Sequence, residues 1–237
     1  MQKIKYFAIG SILIAVFYTL GFDYWERAKE EKSARNLETG VILYDLDGYK
    51  FDVPLKYYYL IYQKTGRWPT PKKERQAVKS FEIDVVLPGM LPFSEQTAEK
   101  FEARGWRDKM WIVLRSSEYV DDLRWFINRR SKFTVLGPSA EAPGLIHVID
   151  HYGQPVPNDK SYRHLYFKTV DNVREYFYIQ CIRNIKEGGV PFPSCTMNTK
   201  YGELKLELTF ARKYMADWKK ILTLSVELLS RFNVKTN

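Results

Sequence analysis

The chain has 237 residues, of which 45% are hydrophobic, 16% aromatic and 27% charged, and its formal charge is +9. That aromatic content suits a packed core, and no internal repeat or low-complexity tract interrupts it. Two cysteines leave room for one disulfide, and their wide spacing lacks the close cysteine pair of a zinc module.

MQKIKYFAIGSILIAVFYTLGF opens the chain, with Lys3 and Lys5 ahead of an uncharged run from Tyr6 to Phe22. Those seventeen residues are at the short end of what a membrane-spanning helix needs. Tyr18-Thr19-Leu20-Gly21-Phe22 lacks the small residues of a signal-peptidase site, and no cysteine follows for lipid attachment, so residues 1–22 are expected to be an uncleaved signal anchor. The amino end carries positive charge only, whereas the far flank, DYWERAKEEKSAR, balances four acidic against four basic side chains. By the positive-inside rule the bulk of the protein should then lie outside the cytoplasm, as a periplasmic domain on a single pass through a bacterial inner membrane. Tyr24 and Trp25 stand where an aromatic belt would meet the outer interface. A buried helix of a soluble domain is the competing reading, and the lysine flank argues against it. Residues 23–39, charged and without glycine or proline, read as a helical stalk.

The remaining domain, 40–237, opens with VILYDLDGYKFDVP, two β-prone runs about Asp47-Gly48, which is a two-residue hairpin signal. Asp45 and Asp47 invite a calcium reading, but the further oxygen ligands of a calcium loop are missing and the turn alone explains them. YYYLIY leads into the basic loop KTGRWPTPKKERQAVK, expected to be irregular and mobile, and FEIDVVLPGMLP alternates as a strand. SEQTAEKFEARG predicts a helix capped by Ser94 and stopped by Gly105; KMWIVLRS predicts a strand, and SEYVDDLRWFINRRS a helix capped by Ser117. Strands are expected at FTVL, LIHVID, SYRHLYFKTV, REYFYIQCIR and YGELKLELTF. In RKYMADWKKILTLSVELLSRF, helical spacing places Tyr214, Trp218, Ile221, Ser225, Leu228 and Phe232 on one face, beside Met215, Leu222 and Leu229. Short turns separate most strands. The fold class is therefore α+β, a mainly antiparallel sheet with packed helices, preceded by one N-terminal transmembrane helix.

Cys181 and Cys195 flank a segment with Gly188-Gly189 and two prolines that can bend the chain back on itself. In an oxidising compartment one bridge follows, worth about 3 kcal/mol by chain entropy; two reduced, buried thiols remain the alternative. The three histidines, His147, His151 and His164, fall within eighteen residues. If LIHVID pairs with RHLYFKTV, His147 approaches His164, and a zinc or iron site becomes conceivable. Strand alternation sends Asp150 to the other face, which favours a polar hairpin surface over a metal centre. No G-x-S-x-G elbow, Cys-x-x-Cys motif or phosphate-binding glycine loop occurs, so neither an enzymatic activity nor a cofactor is expected. Basic residues concentrate at Lys64, Arg67, Lys72, Lys73, Arg75 and Lys79, and again at Arg124, Arg129, Arg130 and Lys132. Outside the cytoplasm they would meet anionic headgroups or only solvent, and nucleic acid is not an expected partner.

Val53-Pro54-Leu55-Lys56-Tyr57 after the hairpin, the strand ending Leu87-Pro88, and Pro193-Ser194-Cys195 followed by YGELKLELTF and ADWKKI together resemble membrane-anchored periplasmic immunity partners of bacterial type VI secretion effectors. The likeness spans most of residues 40–232. It implies a protein that binds an incoming toxin and blocks it, with no turnover and no cofactor. Such families share no catalytic residues, so the resemblance assigns no site. From residue type and loop position, Arg67, Trp68 and Tyr152 are the expected partner-binding residues. An envelope scaffold, or a metal-dependent envelope enzyme using the histidines, are the competing classes.

Overall fold

The structure, a computed structural model, describes residues 37–120, 133–150, 163–168, 176–181 and 193–234. The expected anchor, most of the expected stalk, the body of the helix expected after Ser117, the second basic cluster, His151 and Tyr152 lie outside those residues. Among the described residues no helix is long and apolar enough to cross a membrane.

β1 (Val41–Leu46) and β2 (Tyr49–Pro54) form the expected antiparallel hairpin. Its turn residues have φ of 51° at Asp47 and 83° at Gly48, the consecutive positive values that a hairpin matching the strand twist requires and that aspartate and glycine tolerate best. The carboxylates of the turn are consumed locally. Asp45 Oδ1 accepts the Gly48 N–H at 2.9 Å, while Asp47 accepts from Ser116 Oγ and from the Ser117 N–H and hydroxyl at 2.8–3.0 Å. The hairpin tip is thereby fastened to the loop after β5 (Lys109–Arg115).

A single 3-10 turn (Leu55–Tyr57) leads to α1 (Tyr59–Thr65), which stops where Gly66, at φ 68°, donates its N–H to the Tyr62 carbonyl at 2.7 Å. The basic loop that follows is pinned at its far end: β3 (Gln76–Ala77) pairs parallel with β1. Arg75 holds it there through the Tyr44 and Phe51 carbonyls at 2.9 and 3.0 Å and Asp52 at 2.7 Å. The small sheet is thus β2-β1-β3.

The large sheet takes β4 (Ser80–Val86), β5, β6 (Phe133–Pro138), β7 (Ile146–Asp150), β8 (Arg163–Phe167), β9 (Tyr178–Cys181), β10 (Ser194–Tyr201) and β11 (Leu204–Ala211). They stand in the order β4-β5-β11-β10-β9-β8-β7-β6, every neighbour antiparallel. Two short expectations fail. The helix α2 (Ala98–Glu102) begins four residues after Ser94, because the Ser94 N–H donates to Thr97 Oγ1, whose hydroxyl donates to the Pro92 carbonyl, each at 2.8 Å. That side-chain turn takes the place of the expected cap. β10 was not expected as a strand, since SCTMNTKY offers apolar residues only at Cys195 and Met197 before its last tyrosine.

Alternation and register generate the core. Ile83, Ile112, Leu208, Met197 and Ile179 lie in one row across five strands, all fully buried. Burying each such side chain contributes about 1.5–3 kcal/mol. Two elements cover this face. The small sheet packs Phe51 and Tyr44 against Phe81 at ring distances of 5.1 and 5.0 Å. The C-terminal helix α3 (Trp218–Phe232) buries Trp218, Ile221, Ser225, Leu228, Leu229 and Phe232 at the expected helical spacing. Its approach, Arg212–Asp217, is a 3-10 turn, and the tighter winding places Met215 in the core while Tyr214 stays half-buried. Cys181 and Cys195 are directly opposite in the β9–β10 ladder and are joined by a disulfide, buried beside Met215.

Candidate functional site

The apolar rows do not continue to the end of the sheet. Beyond Ile179 the same row runs on through Tyr166 of β8 to His147 of β7, and polar chemistry gathers there. His147 Nε2 lies 2.8 Å from His164 Nδ1, so one ring donates a proton and the other accepts it, and the contact cannot survive with both rings cationic. The His147 ring also stacks on Tyr166, with centroids 4.7 Å apart and planes 10° from parallel. Tyr166, fully buried, donates its hydroxyl to Glu141 Oε2 at 2.7 Å. Arg212 grips the same carboxylate with Nε and Nη2, the latter at 2.8 Å, and reaches the Tyr166 oxygen at 3.2 Å. A cleft of about 260 Å³ adjoins the network, lined by Glu141, Pro193, Arg212 and Lys213.

The electrostatics follow from the contacts. Hydrogen bonds from Arg212 hold the Glu141 carboxyl below its usual range, against the opposing effect of burial. Burial lowers the His147 pKa, and the Arg212 cation lowers it further. Burial and the bond to Glu141 raise that of Tyr166, so this hydroxyl keeps its proton and donates it to the carboxylate. The approach of His147 to His164 expected from the sequence is therefore present. Among the described residues no cluster of three metal-ligating side chains occurs, and the nearby carboxylate of Glu141 is engaged by Arg212 and Tyr166. Glu141 and Arg212 were not anticipated. They are 71 residues apart in the chain, and no local pattern marks them.

The second locality holds Arg67 and Trp68. Arg67 is exposed, whereas Trp68 is half-buried. Its indole stacks on Tyr62 at 4.8 Å, 15° from parallel, and packs on Phe93 and Tyr59 at 5.7 and 6.5 Å. Tyr59, Val86 and Phe101 form the buried floor of this cluster. Trp68 is thus part of a built aromatic group and not a free loop tip. Lys64, from the same helix as Tyr62, lies over the Trp111 ring at 5.8 Å. Beneath α1, Asp84 is buried and accepts the Leu60 N–H with Oδ2 at 2.8 Å, while Oδ1 has no hydrogen-bond partner. Burial pushes its pKa up to about 7, with Lys64 and Lys109 pulling the other way.

No family model matches the chain, and no curated protein matches it. Solved structures that share its fold include FrpD, the iron-regulated outer membrane lipoprotein of Neisseria meningitidis. That likeness has a TM-score of 0.53 and 16% identity over 83% of this chain and 93% of FrpD. They also include Smlt3025, an immunity protein of the Stenotrophomonas maltophilia type IV secretion system, with a TM-score of 0.53 and 16% identity over 82% of this chain and 94% of Smlt3025. At such identity the likeness is one of fold.

Proposed function

We propose that this chain is a membrane-tethered periplasmic binding protein of the immunity type, which neutralises a secreted toxin by occupying it. The observation that carries the reading is the shared fold with a secretion-system immunity protein over 82% of this chain and 94% of that one. It adds to the sequence resemblance to type VI immunity partners. The neighbour serves a type IV system; type VI rests on the sequence patterns alone. For the location, the support is Lys3 and Lys5 ahead of the uncharged run, together with a buried disulfide of the kind that persists in oxidising compartments. Arg67, Trp68 and Tyr152 are the proposed partner contacts.

The test has two arms. An exported-only reporter fused after Asn237 should be active, and an active cytoplasmic reporter instead would overturn the location. Full-length protein in detergent should bind the purified product of a neighbouring effector gene and block its toxicity when co-expressed; toxicity unchanged by co-expression would reject the immunity role. Arg67→Ala with Tyr152→Ala is the appropriate contact variant. Trp68→Ala would also remove packing against Tyr59 and Phe93, so it confounds binding with stability. Metal bound stoichiometrically at His147, His151 and His164 would instead favour the enzyme class.

A further inference from the structure

Tyr62, Trp68 and Phe93 form a platform whose aromatic faces are fixed before any partner arrives. Tyr62 is 38% exposed, yet its ring is held parallel to Trp68, and Trp68 rests on Phe93 and Tyr59. Pre-ordered aromatic rings lose little conformational entropy on binding, which is why Trp, Tyr and Arg dominate the anchors of protein interfaces. Along the chain the platform is flanked by Lys64, Arg67, Lys72 and Lys73, all exposed, and within residues 64–79 Glu74 is the single acidic residue against them. The neighbouring cations of the loop are already used, Arg75 by Asp52 at 2.7 Å and Lys79 by Glu118 at 3.2 Å. Among the described residues none of the four has a carboxylate within ion-pair distance.

Resting on the binding-protein reading above, we infer that this platform receives an acidic segment of the protein effector, with an apolar or aromatic side chain set against the exposed Tyr62 ring that Trp68 backs, and carboxylates beside Lys64, Arg67, Lys72 and Lys73. Charge complementarity fixes the sign of the partner. The stacked geometry favours a protein over a lipid surface, because interfacial aromatics that enter a membrane project outward, whereas here the indole is half-buried and its face is covered by Tyr62. Opposite charge also accelerates encounter, so binding should weaken steeply with salt.

The experiment uses full-length protein in detergent and a charge-reversed variant, Arg67→Glu with Lys72→Glu and Lys73→Glu, all exposed positions, so the melting transition should be unchanged. A second variant, Tyr62→Ala, tests the platform. Three probes are compared: the purified neighbouring-gene effector, poly-L-glutamate, and vesicles of phosphatidylglycerol. Each variant should bind the effector at least about tenfold more weakly, and poly-L-glutamate should compete with the effector for the wild type. Equal effector affinity in wild type and variants would overturn the inference. So would vesicle binding that the charge reversal abolishes while effector binding persists, since the surface would then belong to the membrane. If the wild type ignores the effector, the immunity reading fails by itself. The surface then stands on poly-L-glutamate binding that the charge reversal abolishes, and it falls if poly-L-glutamate does not bind.

Discussion

Asp84 and Glu141 are two carboxylates at opposite ends of the same sheet, one on β4 and the other in the turn between β6 and β7, and their surroundings drive them in opposite directions. Asp84 is enclosed with one oxygen unpartnered, and burial raises its pKa to about 7. Glu141 meets Arg212 and Tyr166 with both oxygens, and its pKa falls. The carboxyl chemistry is the same, so what differs is whether the fold supplies donors in return for lost water. The consequence is an opposed pH dependence. Asp84 has a folded pKa above its ordinary 3.8, so the native state binds the extra proton, and stability is lost as pH rises through about 4 to 7. Glu141 has a folded pKa below its ordinary 4.5, so its contribution is present above that value and is lost as pH falls through the depressed one.

The largest effect should leave this contrast intact. Replacing Cys181 and Cys195 by serine should lower unfolding free energy by about 3 kcal/mol at every pH, because a disulfide does not titrate. Urea denaturation at pH 5, 7 and 9 measures it. A change in the shape of the pH profile would show that β9 and β10 couple the two ends of the sheet.

Arg212→Ala should erase the contrast from one side. Glu141 would keep only the Tyr166 hydroxyl, and stability should drop by about 1–3 kcal/mol, the half-exposed carboxylate being partly compensated by solvent. The acid limb of the profile should flatten, because the Glu141 pKa climbs towards its unfolded value and the linkage to pH fades with the difference. An acid limb of unchanged slope would mean that Arg212 does not set the Glu141 pKa.

Asp84→Asn should erase it from the other side. The amide can still accept the Leu60 N–H, yet it has no charge to desolvate, so above pH 8 the variant should be more stable by on the order of 1–2 kcal/mol. The gain should vanish near pH 4. Stability equal to wild type at high pH would show that the carboxylate of Asp84 is solvated in solution.

The smallest effect concerns His147. Its folded pKa lies below the ordinary 6.5, so the unfolded chain takes up more protons just beneath that value and stability declines as pH falls through the window. His147→Gln should flatten this stretch of the profile while leaving stability near pH 8 little changed, and an unaltered slope below pH 6.5 would assign the titration to another group.

Much of the fold was legible because its signals are short-range. Asp47-Gly48 specified its hairpin, the 218–232 spacing specified the buried face of α3, and alternation in KMWIVLRS and YGELKLELTF placed β5 and β11. The pairing of the cysteines followed from there being two of them and from the expectation of an oxidising compartment. β10 escaped because only two of its buried residues, Cys195 and Met197, are apolar, and a strand of this kind is made by its neighbours, β9 and β11, more than by its own residues. The start of α2 escaped because a serine and a threonine three residues apart bonded to each other instead of capping a helix.

The candidate site divides along the same line. Sequence alone determined that His147 and His164 could meet across a hairpin and that residues 64–79 are basic, since both statements concern residues near one another in the chain. The tertiary structure decided that Glu141 and Arg212, 71 residues apart, close the histidine network, that Trp68 stacks in a fixed cluster instead of waving in solvent, and that Asp84 is left with an unpaired oxygen. Those outcomes depend on strand register and on which element covers which face. Such contacts are formed by the packing of distant segments, and local periodicity, which decays within a few residues, carries no record of them.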